Sequence, residues 1–338
     1  MNRLGLGLVG LNFGEKILER EILNGSAREF FELKAVCDVD DDKLFSVSKK
    51  YNVRSYNDIQ GLLCDAEIDA VALFTGPVGR AALIERCLNY GKHVMTTKPF
   101  EQNSKLAEAV LKRAYLEKKA VFMNSPGPLW SPDIRIIKEW QKEYDLGIPV
   151  AARWETWCSY REEADGTWYD DPELCPVPPI FRLGIYAIND MIQLLGQIDS
   201  VSVMESRIFT KRPTSDIASL NLKFCSGALG NIHASFCVDD RSFYPDNLTL
   251  NFERGTVYRR DSSNGSFLLR VDTKNEVADE RIATKPIGAA YQWDAFYRYI
   301  TGGTIAEETS YEDLVHGLQV IEAMSKASAI NGTVKVSS

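Results

Sequence analysis

Apolar runs and helix-period segments alternate without a break over the first 124 residues, and that alternation leaves few folds open to the chain. Leu4-Gly5-Leu6-Gly7-Leu8-Val9-Gly10 reads as a buried strand ending in glycine, followed by a helical pattern with Ile17, Leu18, Ile22 and Leu23 on one face. A second strand over 33–37 leads to Asp38 and then to a helix carrying Leu44, Val47 and Tyr51, which Asp40, Asp41 and Asp42 are placed to cap. Next come a strand over 69–74 with the turn Thr75-Gly76-Pro77, a helix over 79–90, and a strand from Val94 that stops at Thr97-Lys98-Pro99. A helix over 104–118 and a strand over 120–124 complete the series. Strands alternating with helices predict an α/β fold with a doubly wound parallel sheet of the Rossmann type. Thr75, Lys98 and Asn124 then stand at carboxyl ends of strands, where such sheets bind ligands.

The strand, glycine turn and helix of residues 4–23 form the setting in which a dinucleotide pyrophosphate rests on a helix N-terminus. With Gly10 as the first fingerprint glycine, Asn12 falls at the second position and Glu15 at the third, leaving Gly14 out of register. Asn tolerates left-handed backbone, so the turn can still form, and a purely structural glycine turn is the competing reading. Asp38, at the tip of the second strand, suits the adenosine ribose hydroxyls and would repel a 2′-phosphate, so NAD is expected rather than NADP. Pro99 holds the preceding lysine extended, aiming Lys98 from the end of its strand.

At 338 residues the chain exceeds one ordinary core, and two domains are expected, 1–124 and 125–338. Residues 125–132 hold three prolines and a glycine, as a connection should. Beyond them a helix over 133–142 would bury Ile136, Ile137 and Trp140. Alternating segments at 150–157, 200–210, 215–225, 228–238 and 247–252 predict a large, mostly antiparallel open sheet, making the second domain α+β. Helices over 289–300 and 311–330 close the chain and are able to pack back on the first domain. The open face of such a sheet needs a cover, which makes it a natural surface for a homo-oligomer.

A formal charge of −8 argues against nucleic acid as a partner. No window approaches 18 uninterrupted apolar residues, and a strand rather than a signal peptide follows Met1; a cytoplasmic protein with no membrane segment is expected. Seven cysteines (37, 64, 87, 158, 175, 225 and 237) without a CxxC pair read as reduced core thiols. His93, His233 and His316 are far apart and read as structural, and no metal site is expected. Aromatics and carboxylates crowd 154–171. Trp154 reads as strand core, whereas Trp157, Trp168 and Tyr169 are candidates for stacking on the C–H faces of a sugar; strand or loop packing is their other reading.

In order and spacing these elements are similar to those of the glucose-fructose oxidoreductase, inositol dehydrogenase and MocA family. The resemblance rests on Gly10 to Gly14, Asp38, Thr75-Gly76-Pro77, Gly91-Lys92-His93-Val94 and Thr97-Lys98-Pro99, and it covers essentially the whole chain. Thr97 replaces the family's usual glutamate, and Arg80 stands where a histidine is common. Losing that glutamate removes a carboxylate that would hold Lys98 charged. The resemblance also implies an aspartate and, four residues on, a histidine or tyrosine facing the nicotinamide. Within the helix expected over 181–190 these positions are Arg182 and Tyr186, and Gly184-Ile185-Tyr186 matches the tyrosine-bearing branch. Arg182 would tune Lys98 or grip substrate oxygens through its planar fork; a helix-surface salt bridge is the alternative.

The resemblance thus implies hydride transfer between NAD and a secondary alcohol of a sugar, polyol or glycoside, with the C3 hydroxyl of a glucoside as one candidate. Lys98 would take the proton, with Tyr186 and Arg182 as its catalytic companions. The expected cofactor residues are Gly10, Asn12, Phe13, Gly14, Asp38, Thr75, Gly76, Pro77, Lys98 and Asn124; the expected substrate residues are Lys98, Trp157, Trp168, Tyr169, Arg182 and Tyr186. Two alternatives stand: a sugar–sugar oxidoreductase that never releases its cofactor, and a non-catalytic sugar or nucleotide sensor on the same fold.

Overall fold

A computed structural model describes residues 2–240, 244–262, 264–274, 276–285, 291–305 and 307–337. The chain divides into two compact units, Met1–Leu129 with Tyr291–Tyr311, and Trp130–Ala290 with Glu312–Ser338. This places the boundary a few residues beyond 124 and assigns the segment that begins at Tyr291 to the first unit.

The first unit is built on β1 (Leu4–Val9), β2 (Phe31–Cys37), β3 (Arg54–Tyr56), β4 (Ala70–Leu73), β5 (His93–Thr96) and β6 (Val121–Met123). All six pair in parallel, in the order β3-β2-β1-β4-β5-β6. Between β1 and β4 the strand order reverses, which opens a crevice at their carboxyl ends. β4 is buried along its whole length because helices cover both faces, hence its unbroken apolar run. The helices are α1 (Leu11–Ile17), α2 (Asp41–Tyr51), α3 (Ile59–Leu63), α4 (Arg80–Asn89) and α5 (Ser104–Leu116). Asp40 caps α2 by accepting the Lys43 amide at 3.0 Å, and Asn103 caps α5 through the Lys105 and Leu106 amides.

α1 widens into a π-helical stretch over Leu18–Leu23. Ile17, Leu18 and Ile22 stay buried, but the wider turn rotates Leu23 off the apolar face, and it is exposed where a uniform helix would bury it. After the second unit the chain returns as a helix (Trp293–Ile300) whose Trp293 and Phe296 rings each lie 5.6 Å from Phe31. The first two residues expected in that helix, 289 and 290, lie outside the described residues.

The second unit opens with α6 (Pro132–Glu143) and β7 (Pro149–Trp157), then α7 (Ile185–Leu195), β8 (Ile198–Ser206), β9 (Ile217–Phe224), β10 (Leu229–Ser235), β11 (Asn247–Phe252), β12 (Gly255–Ser262), β13 (Ser266–Thr273) and β14 (Val277–Thr284). After the first-unit helix Trp293–Ile300, here α8, it ends with α9 (Tyr311–Ile330) and β15 (Val334–Lys335). Nine strands form one sheet, in the order β14-β13-β12-β11-β7-β10-β9-β8-β15, antiparallel except where β10 runs parallel to β7. Alternate residues point to one face, where Ile137 and Trp140 of α6, Ile188 and Met191 of α7, and Val320 and Met324 of α9 join the core. Each such buried side chain contributes about 2 kcal/mol. Ile136, expected among them, is half-buried, because the inward positions of α6 are Asp133, Ile134, Ile137 and Trp140.

Strands β12 to β14 escape sequence pattern. Their outward positions carry Arg260, Arg270 and Glu280, and charged Arg259 and Arg281 stand at inward positions against α6, so the alternation of the buried Val257, Phe267, Leu269 and Val271 is masked. All seven cysteines are free thiols; Cys37, Cys87, Cys158 and Cys175 are core, but Cys64 and Cys225 are exposed, so the expectation of core thiols fails for those two. No helix among the described residues is long and apolar enough to cross a membrane.

Candidate active site

In the first unit the glycine turn is set by Gly10 at φ +87°, where an added Cβ would lie 2.9–3.0 Å from the backbone of Phe74 and Thr75. Only glycine fits that close approach of the β1 and β4 ends. Gly14 is different: a Cβ there would meet Leu8 and Phe74 at 3.4–3.5 Å, ordinary contact, so helix–strand packing does not demand it. Phe13 is partly exposed and sits edge-on to Phe74. Asn12, at the second fingerprint position, has its side-chain oxygen bonded to Lys43 of α2. Asp38 accepts the Leu11 amide at 2.6 Å through one oxygen and the Asp40 amide at 3.0 Å through the other. Each carboxylate oxygen keeps further lone pairs for ribose hydroxyls.

At the neighbouring strand ends, the Asn124 side-chain oxygen accepts the Lys98 amide at 2.9 Å, and Thr96 anchors β5 to the Leu73 carbonyl at 2.7 Å. Arg80, fully buried at the start of α4, donates to the carbonyls of Thr97 at 2.6 Å, Phe100 at 3.3 Å, Pro99 and Thr75. Burial pulls its guanidinium down to about 10, partly opposed by Glu101, so it remains cationic at neutral pH. Glu101, also buried, accepts the Ala81 amide at 2.9 Å and the Gln102 amide at 2.8 Å. Thr75, the Lys98 segment and Asn124 are thus linked by hydrogen bonds at the ends of β4, β5 and β6, with Gly76 and Pro77 continuing the Thr75 turn. His93 serves structure, its Nδ1 accepting the Ala120 amide at 3.0 Å; burial pushes its pKa down to about 4.

In the second unit Arg182 lies in a π-helical turn, Ile180–Gly184, and α7 starts only at Ile185. The four-residue step to Tyr186 therefore spans a change of helical pitch, where a single α-helix over 181–190 was expected. Arg182 holds Glu162 bidentately, at 2.8 Å for both bonds, and its guanidinium stacks within 4.3–4.8 Å of the Tyr160, Tyr169 and Phe236 rings. Trp168 and Tyr169 stack on each other with centroids 4.0 Å apart, and burial raises the Tyr169 hydroxyl above its usual pKa. Trp157 donates to Asp240 at 3.0 Å. Tyr186 is half-buried against the core, and Trp154 is core, bonded to Asp246.

The residues that pin this aromatic segment were not evident from sequence. Arg212 is buried and donates to Glu162 at 2.9 Å, Asp165 at 2.9 Å and Asp170 at 2.6 Å. Five acidic residues within 162–171 were the one signal that a cation was needed, but nothing in sequence pointed to position 212.

Comparison with known proteins agrees with this architecture. Residues 4–125 match the model of an oxidoreductase family with an NAD-binding Rossmann fold, and residues 134–258 match the GFO/IDH/MocA C-terminal domain. The chain belongs to the GFO/IDH/MocA family. It is an NAD-dependent oxidoreductase, and the residues present suit that cofactor: the Gly10 turn, the first-turn amides of Asn12 and Phe13, and Asp38 at the tip of β2. A D-apiose dehydrogenase of Paraburkholderia graminis is 23% identical over 331 residues, covering 91% of this chain and 84% of that protein. Among solved structures, levoglucosan dehydrogenase in complex with NADH and levoglucosan is 16% identical with a TM-score of 0.77, covering 99% of this chain and all of that one. An oxidoreductase domain protein from Kribbella flavida gives a TM-score of 0.80 at 18% identity, with both chains wholly covered.

Proposed function

We propose that this family member oxidises or reduces a secondary alcohol of a sugar, polyol or glycoside, with the C3 hydroxyl of a glucoside within that class. The observation that carries the reading is Lys98, held by its main chain at the carboxyl end of β5 among hydrogen-bonded loops. A relative named for D-apiose and a neighbour solved with levoglucosan support the carbohydrate class. NAD supplies the hydride acceptor when bound. Lys98 Nζ takes the hydroxyl proton as the substrate carbon is oxidised, and Tyr186 is assigned to orienting the substrate. Stacked Trp168 and Tyr169, with Trp157, offer ring faces to a sugar. Arg182 is assigned to holding the Tyr169 ring in place, since Glu162 already occupies its fork.

The open face of the large sheet exposes Met204, Leu229, Leu268 and Ile282, which supports self-association there. Free thiols throughout suit a reducing, cytoplasmic setting. The test is NADH formation from NAD across free sugars, inositols, uronic acids and aryl glycosides. Turnover confined to one carbohydrate class is expected. A flat response across the panel, from protein that releases no nucleotide on denaturation, would overturn the reading in favour of a sensor.

A further inference from the structure

Loops at the ends of β4 and β5 turn several backbone carbonyls inward, and a buried oxygen left without a donor costs about 1–3 kcal/mol. Arg80 meets four of them. Three, from Thr97, Pro99 and Phe100, bracket Lys98 along the chain, and the fourth, from Thr75, belongs to the neighbouring turn. Asn124 completes the bracket from the end of β6 by accepting the Lys98 amide. Glu101, bonded to the Ala81 and Gln102 amides, stays beside the guanidinium as a compensating charge. A planar fork spread over both loops fixes their relative position, which a single hydrogen bond would not do.

We propose that Arg80 is a positioning residue for Lys98: it locks the main chain from Thr97 to Phe100 against the Thr75 turn and so sets where the Lys98 side chain starts. This deepens the dehydrogenase reading and rests on it. Because shifts of about 1 Å at a reacting group cost about 100-fold in rate, Arg80 governs kcat without touching substrate. Lysine at this position keeps the charge but loses the fork, so Arg80→Lys is not conservative here.

The experiment compares wild type, Arg80→Lys and Arg80→Ala, each assayed well below its own Tm. Arg80→Lys is expected to lower kcat about 100-fold while sugar KM and NAD Kd stay within about threefold. Guanidinium ion added to Arg80→Ala should restore part of the lost kcat, which a general loss of stability would not allow. Independently of turnover, the rate of Lys98 acetylation by acetic anhydride relative to the other lysines, and amide exchange over 97–100, should both change in Arg80→Lys. Wild-type kcat with wild-type acetylation in Arg80→Lys would overturn the proposal, as would faster exchange with kcat unchanged. If wild type turns over no sugar, the dehydrogenase reading fails alone, and the acetylation ratio decides the role of Arg80. Should Arg80→Ala not fold, Arg80→Lys carries the test by itself.

Discussion

Arg80 and Arg259 are both fully buried, one in each unit, yet their partners differ in kind. Arg259, on β12, donates to Asp133 of α6 at 2.6 Å, to Asp190 of α7 at 3.0 Å, and to Asp246 just before β11. It ties two covering helices to the sheet. Among the described residues Arg80 donates to backbone carbonyls and ties two loops. Three carboxylates around one guanidinium leave an excess of negative charge, and Asp190 is pushed up to about 7 by burial first and then by Asp133 and Asp246, against the pull of Arg259. Carbonyls do not titrate. A buried arginine among carboxylates therefore builds a pH-sensitive core joint, whereas one among carbonyls holds backbone in place at any ordinary pH.

The largest expected effect would break this contrast most directly. Arg259→Leu strands the buried Asp133 beside the half-buried Asp190 and Asp246 and should cost about 3–5 kcal/mol in urea unfolding; a loss under about 1 kcal/mol would mean the cluster is solvated and the comparison false. Next comes the titration of that joint. Because the folded-state pKa of Asp190 is raised above the ordinary 3.8, its contribution is fully present below that value and is lost as pH rises through about 7. Wild-type Tm should therefore fall over that window, and Asp190→Asn, which keeps an acceptor for Arg259, should flatten the fall and be the more stable protein at pH about 8. The smallest effect is a control: Lys335 pairs with Asp199 at 2.6 Å but is largely exposed, so Lys335→Ala should change stability by less than about 1 kcal/mol.

Much of the first unit was legible in the sequence, because topology does the placing. Apolar runs ending at Gly10, Asp38, Thr75, Lys98 and Asn124 become parallel strands, and their ends meet wherever strand order reverses. Side-chain partnerships were not legible in the same way. Arg80 looked like a bare departure from a family pattern, since the carbonyls it binds leave no mark on the sequence. The partner of Arg182 was not legible either, because Glu162 lies twenty residues away in an irregular segment. The widened turns at Leu18–Leu23 and Ile180–Gly184 were likewise hidden, since apolar spacing alone does not distinguish one inserted residue from a regular helix.

Lys98→Met offers the most direct test of the central claim, measured as NAD binding and sugar-dependent NADH formation on the same preparation. NAD affinity should stay within about threefold of wild type and turnover should fall at least about a thousandfold, as the proposed proton acceptor is gone while the strand end that carries it remains. Turnover near the wild-type rate in that variant would contradict it.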